Sequence, residues 1–370
     1  MQWIACAALV WAAMGFGQTS ASWGIGPWTR PAAGNPVVTP NAASTFMDPI
    51  AEKPVQWEAL HTFNPAAVVR GGKVFVLYRA EDNSGAMEIG GHTSRLGLAE
   101  SKDGVHFTRR GEPVFYPAED DQKAREWPGG VEDPRIVESP DGMYVLTYTQ
   151  WNRETYSVGI ATSRDLLHWT KYGPAFLTAK GGKYAQLKYK SAGIVTQLVK
   201  GRLVAAQING LYWMYWGEGA IHLATSKDLI HWDPVEDQRG EPVELLRPRA
   251  GHFDSSFPET GPPPVLTNAG IVVLYNGKNA AGHDAATGGD PKLGEGAYAA
   301  GEALFAANNP ALLLKQTDEP VLKPELPYEK TGQYAAGTTF AEGLVWFHKR
   351  WFLYYGCADS LVAVATAPGE

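Results

Sequence analysis

The stretch Leu96-Gly97-Leu98-Ala99-Glu100-Ser101-Lys102-Asp103-Gly104-Val105-His106-Phe107 returns twice in altered form. The second copy is Val158-Gly159-Ile160-Ala161-Thr162-Ser163-Arg164-Asp165-Leu166-Leu167-His168-Trp169, and the third is Ile221-His222-Leu223-Ala224-Thr225-Ser226-Lys227-Asp228-Leu229-Ile230-His231-Trp232. Ala99, Ala161 and Ala224 are spaced by 62 and 63 residues. Each copy alternates as a strand does, then closes on Ser-x-Asp. Short polar side chains of this kind bond their own backbone and set a tight turn. An aromatic residue then opens the next strand. Weaker echoes are Gly301-Glu302-Ala303-Leu304-Phe305 and Val362-Ala363-Val364-Ala365-Thr366.

Between the copies lie further strand-like runs, Val74 to Arg79, Leu203 to Ile208 and Ile271 to Tyr275, and long helical periodicity is absent. A period near 60 with several strands per unit predicts an all-β chain folded as a five-bladed β-propeller. Five such units cover about 310 residues, so residues 55–370 are read as one catalytic-sized domain. A short strand near 361–366 is expected to close the ring with N-terminal strands. A β-sandwich or β-helix fits the period less well. In a propeller, loops at one end of the channel converge, and distant acids meet there.

The chain has 370 residues and a net charge of −7. No basic stripe is visible, so nucleic acid is not an expected partner. The 13 Trp and 16 Tyr suit stacking against sugar rings, and they equally suit the packing of a β-protein. Trp3 to Gly17 is apolar and uncharged, too short for a membrane span, and followed by small residues. Residues 1–21 are therefore read as a signal peptide cleaved after Ala21, and the protein as exported. Residues 22–54, rich in Pro, Gly, Ala and Thr at their start, are read as an arm or linker. Cys357 lies in an apolar strand and reads as a buried small hydrophobe. The 9 His are scattered without zinc-ligand spacing, so neither a metal site nor a cofactor is expected.

The candidate functional residues are polar groups at strand entrances beside Gly or Pro. Foremost is Gly129-Gly130-Val131-Glu132-Asp133-Pro134-Arg135-Ile136, an acid pair ahead of an apolar run. Pro134 is expected to push Asp133 towards an extended conformation, and Arg135 supplies a positive fork. The alternative is a structural Asp–Arg pair. Asn64, Arg79, Lys190, Glu259, Glu302 and Asp359 are the others, each of which also has a plain structural reading. Glu259 is held among prolines and a glycine, and Glu302 interrupts an apolar strand, where an acid is paired or functional. Together they spread carboxyl groups over successive units. Glycosidic hydrolysis needs two of them. No Gly-x-Ser-x-Gly turn and no Gly-rich phosphate loop opening a helix occurs.

Phe63-Asn64-Pro65-Ala66, Tyr78-Arg79-Ala80-Glu81, Gly130-Val131-Glu132-Asp133-Pro134-Arg135, Gly261-Pro262-Pro263-Pro264, Tyr275-Asn276-Gly277 and Tyr355-Gly356-Cys357-Ala358-Asp359 resemble glycoside hydrolase family 130, the β-mannoside phosphorylases and β-mannosidases. The resemblance runs from about Asn64 to Thr366 and implies a five-bladed propeller. It also implies that Asp133 is the general acid, acting through a mannose hydroxyl, and that Asn64, Arg79 and Asp359 hold the mannosyl unit.

Three departures separate the chain from the phosphorylases. Tyr275-Asn276-Gly277 replaces their Tyr-His-Gly, Ser256-Phe257-Pro258-Glu259 stands where they carry a Lys, and Ala206-Gln207-Ile208-Asn209 stands where they carry His-Arg. Loss of those phosphate-binding cations, and acids at Glu259 and Glu302, resemble the hydrolytic branch, in which two glutamates activate water. The expectation is an exported, inverting β-mannosidase acting on β-1,2-linked manno-oligosaccharides. Its rivals are a mannoside phosphorylase and a non-catalytic carbohydrate-binding propeller.

Overall fold

Runs rich in Val, Ile, Tyr and Trp, punctuated by Gly, Asn and Asp turns, become strands almost everywhere. The structure is a computed structural model and describes residues 23–282 and 288–369. The expected signal segment, 1–21, lies outside the described residues.

A hairpin of β1 (Phe46–Asp48) and β2 (Lys53–Val55) leads in. Five antiparallel groups follow in chain order. The first is β3 (His61–Arg70), β4 (Lys73–Glu81), β5 (Ser94–Ser101) and β6 (Phe107–Arg109). The second is β7 (Gly130–Glu138), β8 (Tyr144–Trp151), β9 (Tyr156–Ser163) and β10 (Trp169–Pro174). The third is more broken: β11 (Ala192–Ile194), β12 (Thr196–Val199), β13 (Arg202–Ala205), β14 (Gln207–Ile208), β15 (Leu211–Trp216), β16 (His222–Ser226) and β17 (Trp232–Pro234). The fourth is β18 (Phe257–Thr260), β19 (Val265–Thr267), β20 (Gly270–Lys278), β21 (Tyr298–Ala306) and β22 (Asn309–Gln316). The fifth is β23 (Thr339–Phe347), β24 (Arg350–Cys357) and β25 (Leu361–Pro368).

The repeated phrase forms β5, β9 and β16, and its echoes form β21 and β25. Its Ser-x-Asp turn is built alike in all three full copies. Ser101 Oγ accepts the Gly104 N–H at 2.8 Å, and Asp103 Oδ1 accepts those of Val105 and His106. Ser163 with Asp165, and Ser226 with Asp228, repeat the pattern. The following indoles, Trp169 and Trp232, donate to Leu166 O and Leu229 O.

Apolar side chains collect between consecutive groups. One core cluster joins Leu77 and Leu98 to Ile136 and Leu146, the next Val145 and Ile160 to Ile194 and Met214. A third joins Leu223 and Tyr215 to Val273 and Phe305, and a fourth Val272 and Leu274 to Leu344 and Leu353. The fifth joins the last group to the first, with Val345, Tyr354 and Val364 against Val76 and Tyr78. Hydrogen-bonded sheets do not close on themselves among the described residues. The N-terminal arm supplies β25 with further partners, since Thr29 pairs with Thr366 and Val38 with Val362.

Bulges interrupt β3 at Phe63/Pro65, β7 at Glu132/Arg135 and β23 at Ala341/Gly343. A bulge re-aims the side chain beside it, here Asn64, Asp133 and Glu342. Two expectations change. Glu132 and Asp133 lie inside a strand at its bulge, not in a loop ahead of it. Asp133 is also not extended, because it takes φ of +47°, and Asn64, likewise before a proline, takes +44°. The register shift at Asn64 in β3 and across Asp133-Pro134 in β7 forces the turn that an ordinary strand residue would not make.

Candidate active site

The bulged strands and the loops beside them line a cavity of about 320 Å³. Asn64, Arg79, Glu132, Asp133, Lys190, Glu259 and Asp359 all face it, with Glu218. Trp151, Tyr156, Tyr298, Tyr334 and Phe340 supply aromatic walls, and Ile89 and Gly90 stand on the rim. Six of the seven residues expected at the site are thus brought together from four of the five groups and the segment ahead of β11.

Arg79 organises one side. Its guanidinium reaches Glu81 and Glu132 at 2.7 Å and Asp133 at 3.1 Å, above the Phe63 ring. Asn64 Nδ2 donates to Asp133 Oδ1 at 2.8 Å, whereas Asn64 Oδ1 is buried without a partner among the described residues. Burial opposes ionisation of Asp133, but Arg79, then Lys190 and Arg135, outweigh it and hold its carboxyl below the usual range. Its neighbour Glu132 moves the other way, pushed up by burial despite Arg79. The surroundings thus favour a proton on Glu132 over one on Asp133, the expected acid, in the free protein. Asp359, at φ +50°, is pushed up by burial to about 6.

Lys190 organises the other side. Its Nζ lies 3.3 Å from Glu218 and 3.7 Å from Glu259. Ser191, turned to φ +57°, donates its hydroxyl to Glu259 Oε1 at 2.5 Å. Glu259 is 1% exposed, and burial raises its pKa against the pull of Lys190. Glu218 and Glu259 face each other across an isolated antiparallel bridge. Glu218 was missed in the sequence. Its signal was the flanking Gly217 and Gly219, which take φ of +118° and +91° and let an acid leave the end of β15.

Glu302 departs from the expectation and does not line the cavity. It lies fully buried in β21 and accepts the Ile25 N–H of the arm at 3.0 Å. A Cβ on Gly24 would stand 1.8 Å from its Oε2, so the arm covers it. Burial pushes its pKa up to about 8. Glu302 shares a strand face with the cavity-lining Tyr298 but lies further along β21, where the arm covers it. Arg135 is also structural. It is buried, pairs with Glu342 at 2.9 Å and donates to the carbonyls of Asp133, Thr260 and Gly261.

Of the positions that depart from the phosphorylases, Asn276 is buried and exchanges both amide hydrogen bonds with the backbone of Ala341. The run Ala206 to Asn209 does not line the cavity; Asn209 donates to Asn308 O instead.

The family model described as beta-1,4-mannooligosaccharide phosphorylase, of glycoside hydrolase family 130, matches residues 35–370. A candidate glycosidase from Bacteroides thetaiotaomicron is 53% identical, with a TM-score of 0.90 over 92% of this chain and 96% of that one. A second solved structure, from work on family 130 glycoside hydrolases that target β-1,2 mannosidic linkages in Candida mannan, is 49% identical. Its TM-score is 0.92, over 95% of this chain and 96% of the other. A 1,2-beta-oligomannan phosphorylase of Thermoanaerobacter sp. is 29% identical over 85% of this chain and 95% of its own length.

Proposed function

The chain belongs to glycoside hydrolase family 130, and on that footing we propose that it is a β-mannosidase, hydrolysing β-1,2-linked manno-oligosaccharides with inversion. The observation that carries hydrolysis over phosphorolysis is charge. Glu132, Asp133, Glu218, Glu259 and Asp359 line the cavity against two cations, Arg79 and Lys190. Both cations already face carboxylates. A phosphate dianion gains little there, whereas water beside an ionised glutamate is activated.

In this reading Glu259, with Glu218 across Lys190, takes a proton from a water whose oxygen bonds the anomeric carbon. The glycosidic C–O bond breaks, and the leaving oxygen receives a proton from Asp133, directly or through a sugar hydroxyl. Glu132 and Asp133 share one proton near neutral pH, with Arg79 bridging them. A sugar that displaces water from Asp133 adds to the burial that already favours its protonated form. Asn64, Arg79 and Asp359 hold the mannosyl unit, and the unpartnered Asn64 Oδ1 is a ready acceptor for one of its hydroxyls.

The five antiparallel groups are read as the blades of a propeller. The core cluster between the last group and the first supports a ring. Residues 1–21 are read as an export signal. Outside the cell a sugar phosphate conserves no usable energy, which agrees with hydrolysis.

The test is product analysis on β-1,2-mannobiose with and without phosphate. Equal release of free mannose is expected in both, with α-mannose as the first product by proton NMR. A second reading, phosphorolysis, is favoured by the 29% identical oligomannan phosphorylase. Release that depends on phosphate and yields mannose 1-phosphate would establish it, and β-mannose as first product would exclude inversion.

A further inference from the structure

His61, Glu81 and His92 lie apart in the sequence, with no spacing that marks a metal site. The fold gathers them. His61 and Glu81 are cross-strand partners of β3 and β4, and His92 stands in the connection from β4 to β5. One ligand atom of each lies within 4.8 Å of the others. None of the three lines the catalytic cavity.

The hydrogen bonds set His92, and are compatible with His61, in the form that binds a cation. His92 Nδ1 stands 2.9 Å from Ser84 O, a carbonyl that only accepts, so Nδ1 carries the proton. His61 Nδ1 stands 3.0 Å from Ser360 Oγ, which directs its own proton to Ala358 O. With that hydroxyl turned to Ala358 O, the matching His61 tautomer carries its proton on Nδ1. Each Nε2 is left with a free lone pair, and each Nδ1–H has the outer partner typical of a metal-bound histidine. Glu81 accepts one bond from Arg79 and one from Gln333, which leaves lone pairs on both oxygens. The single guanidinium of Arg79 is shared with Glu132 and Asp133, so the neighbourhood has an excess of carboxylates that favours a dication.

We propose that His61 Nε2, His92 Nε2 and Glu81 form a site for one divalent transition cation of the zinc class, with water completing the coordination. Two imidazoles and one carboxylate suit zinc rather than magnesium or calcium, which prefer oxygen. Tetrahedral ligands at zinc distances stand about 3.4 Å apart, so binding draws the three inward by roughly 1 Å, within reach of side-chain rotation. Glu81 opens and His92 closes the segment that carries Ile89 and Gly90 to the cavity rim. The ion pins both ends of that segment to the start of β3.

The experiment uses tag-free, chelator-stripped protein titrated with ZnCl2 by calorimetry, with cobalt(II) as a coloured probe. One tight equivalent is expected, together with the visible absorption of low-coordinate cobalt and a Tm rise of about 2–4 °C at saturating zinc. His92→Ala and His61→Asn should each lose that equivalent while matching the stripped wild type in Tm. Magnesium and calcium should not compete. Stripped wild type that takes up no zinc, or variants that keep the equivalent, would overturn the site. The wild-type cobalt titration needs no variant to fold. Hydrogen exchange in residues 83–91 should slow with zinc bound, and unchanged exchange there would refute the pinning.

Discussion

Asn64, Asp133 and Asp359 hold φ of +44°, +47° and +50°, a conformation that costs a non-glycine residue about 1–3 kcal/mol. Each of the three lines the cavity, so the surrounding fold imposes this geometry on polar groups that meet there. Asp133→Asn and Glu259→Gln are each expected to lower kcat on β-1,2-mannobiose by about 10²–10⁴-fold; activity within tenfold of wild type removes the residue from its role. Glu302→Gln should leave kcat within about twofold of wild type on the same assay, because Glu302 is buried and does not line the cavity. The rate profile with pH should be a bell around neutrality. Glu259, pushed up by burial to about 7, must be ionised, so activity falls below its pKa. Glu132, raised likewise, marks the loss of the shared proton, so activity falls again above neutral pH. A flat profile between pH 5 and 9 contradicts both assignments. Glu302 gives a separate, stability-based signal. Its folded pKa, about 8, exceeds the ordinary carboxylate value, so the folded state binds the proton more tightly. That contribution is fully present below the unfolded pKa and is lost as pH rises through about 8. Thermal unfolding at pH 6 and pH 9 should show a smaller decline in Glu302→Gln than in wild type.

At the level of elements, the Ser-x-Asp turn was legible because its chemistry is local. Its hydrogen bonds run over two or three residues, and all three copies repeat them. Desolvation opposes ionisation of Asp165, but hydrogen bonds from the His168 ring and backbone and the Leu167 N–H together outweigh it and hold the carboxyl well below the usual range. Asp165→Ala should lower stability by about 1 kcal/mol, read as a Tm drop of about 2 °C; an unchanged Tm would mean that the backbone holds the turn unaided. The bulges of β3, β7 and β23 were not legible. Asn64-Pro65 and Asp133-Pro134 announced an interruption, but an extra residue in a strand is set by the register of its partner. Glu218 escaped for a related reason. Its Gly217 and Gly219 neighbours resemble any turn until the bridge to Glu259 gives the turn a destination.

At the scale of the whole molecule, the N-terminal arm ties the two ends of the chain together. Arg30 meets the fully buried Glu329 at 2.6 Å, and Tyr355 donates to the same carboxylate. Removing one partner of a buried pair strands the other charge, so Arg30→Ala should cost about 3 kcal/mol in a urea titration. A loss under roughly 0.5 kcal/mol would show the arm to be a passive strap. The sequence alone determined the all-β class, the sixty-residue unit and the family, and it singled out six residues that the fold brings to one cavity. Those rest on periodicity and on short motifs, which are properties of neighbouring residues. Only the tertiary structure decided which carboxylates face one another. It set Glu218 rather than Glu302 beside Glu259 at the cavity, and it gathered His61, Glu81 and His92. The reason is physical: alternation in a strand assigns each side chain to one of two faces, and which face meets the cavity depends on how separate groups pack.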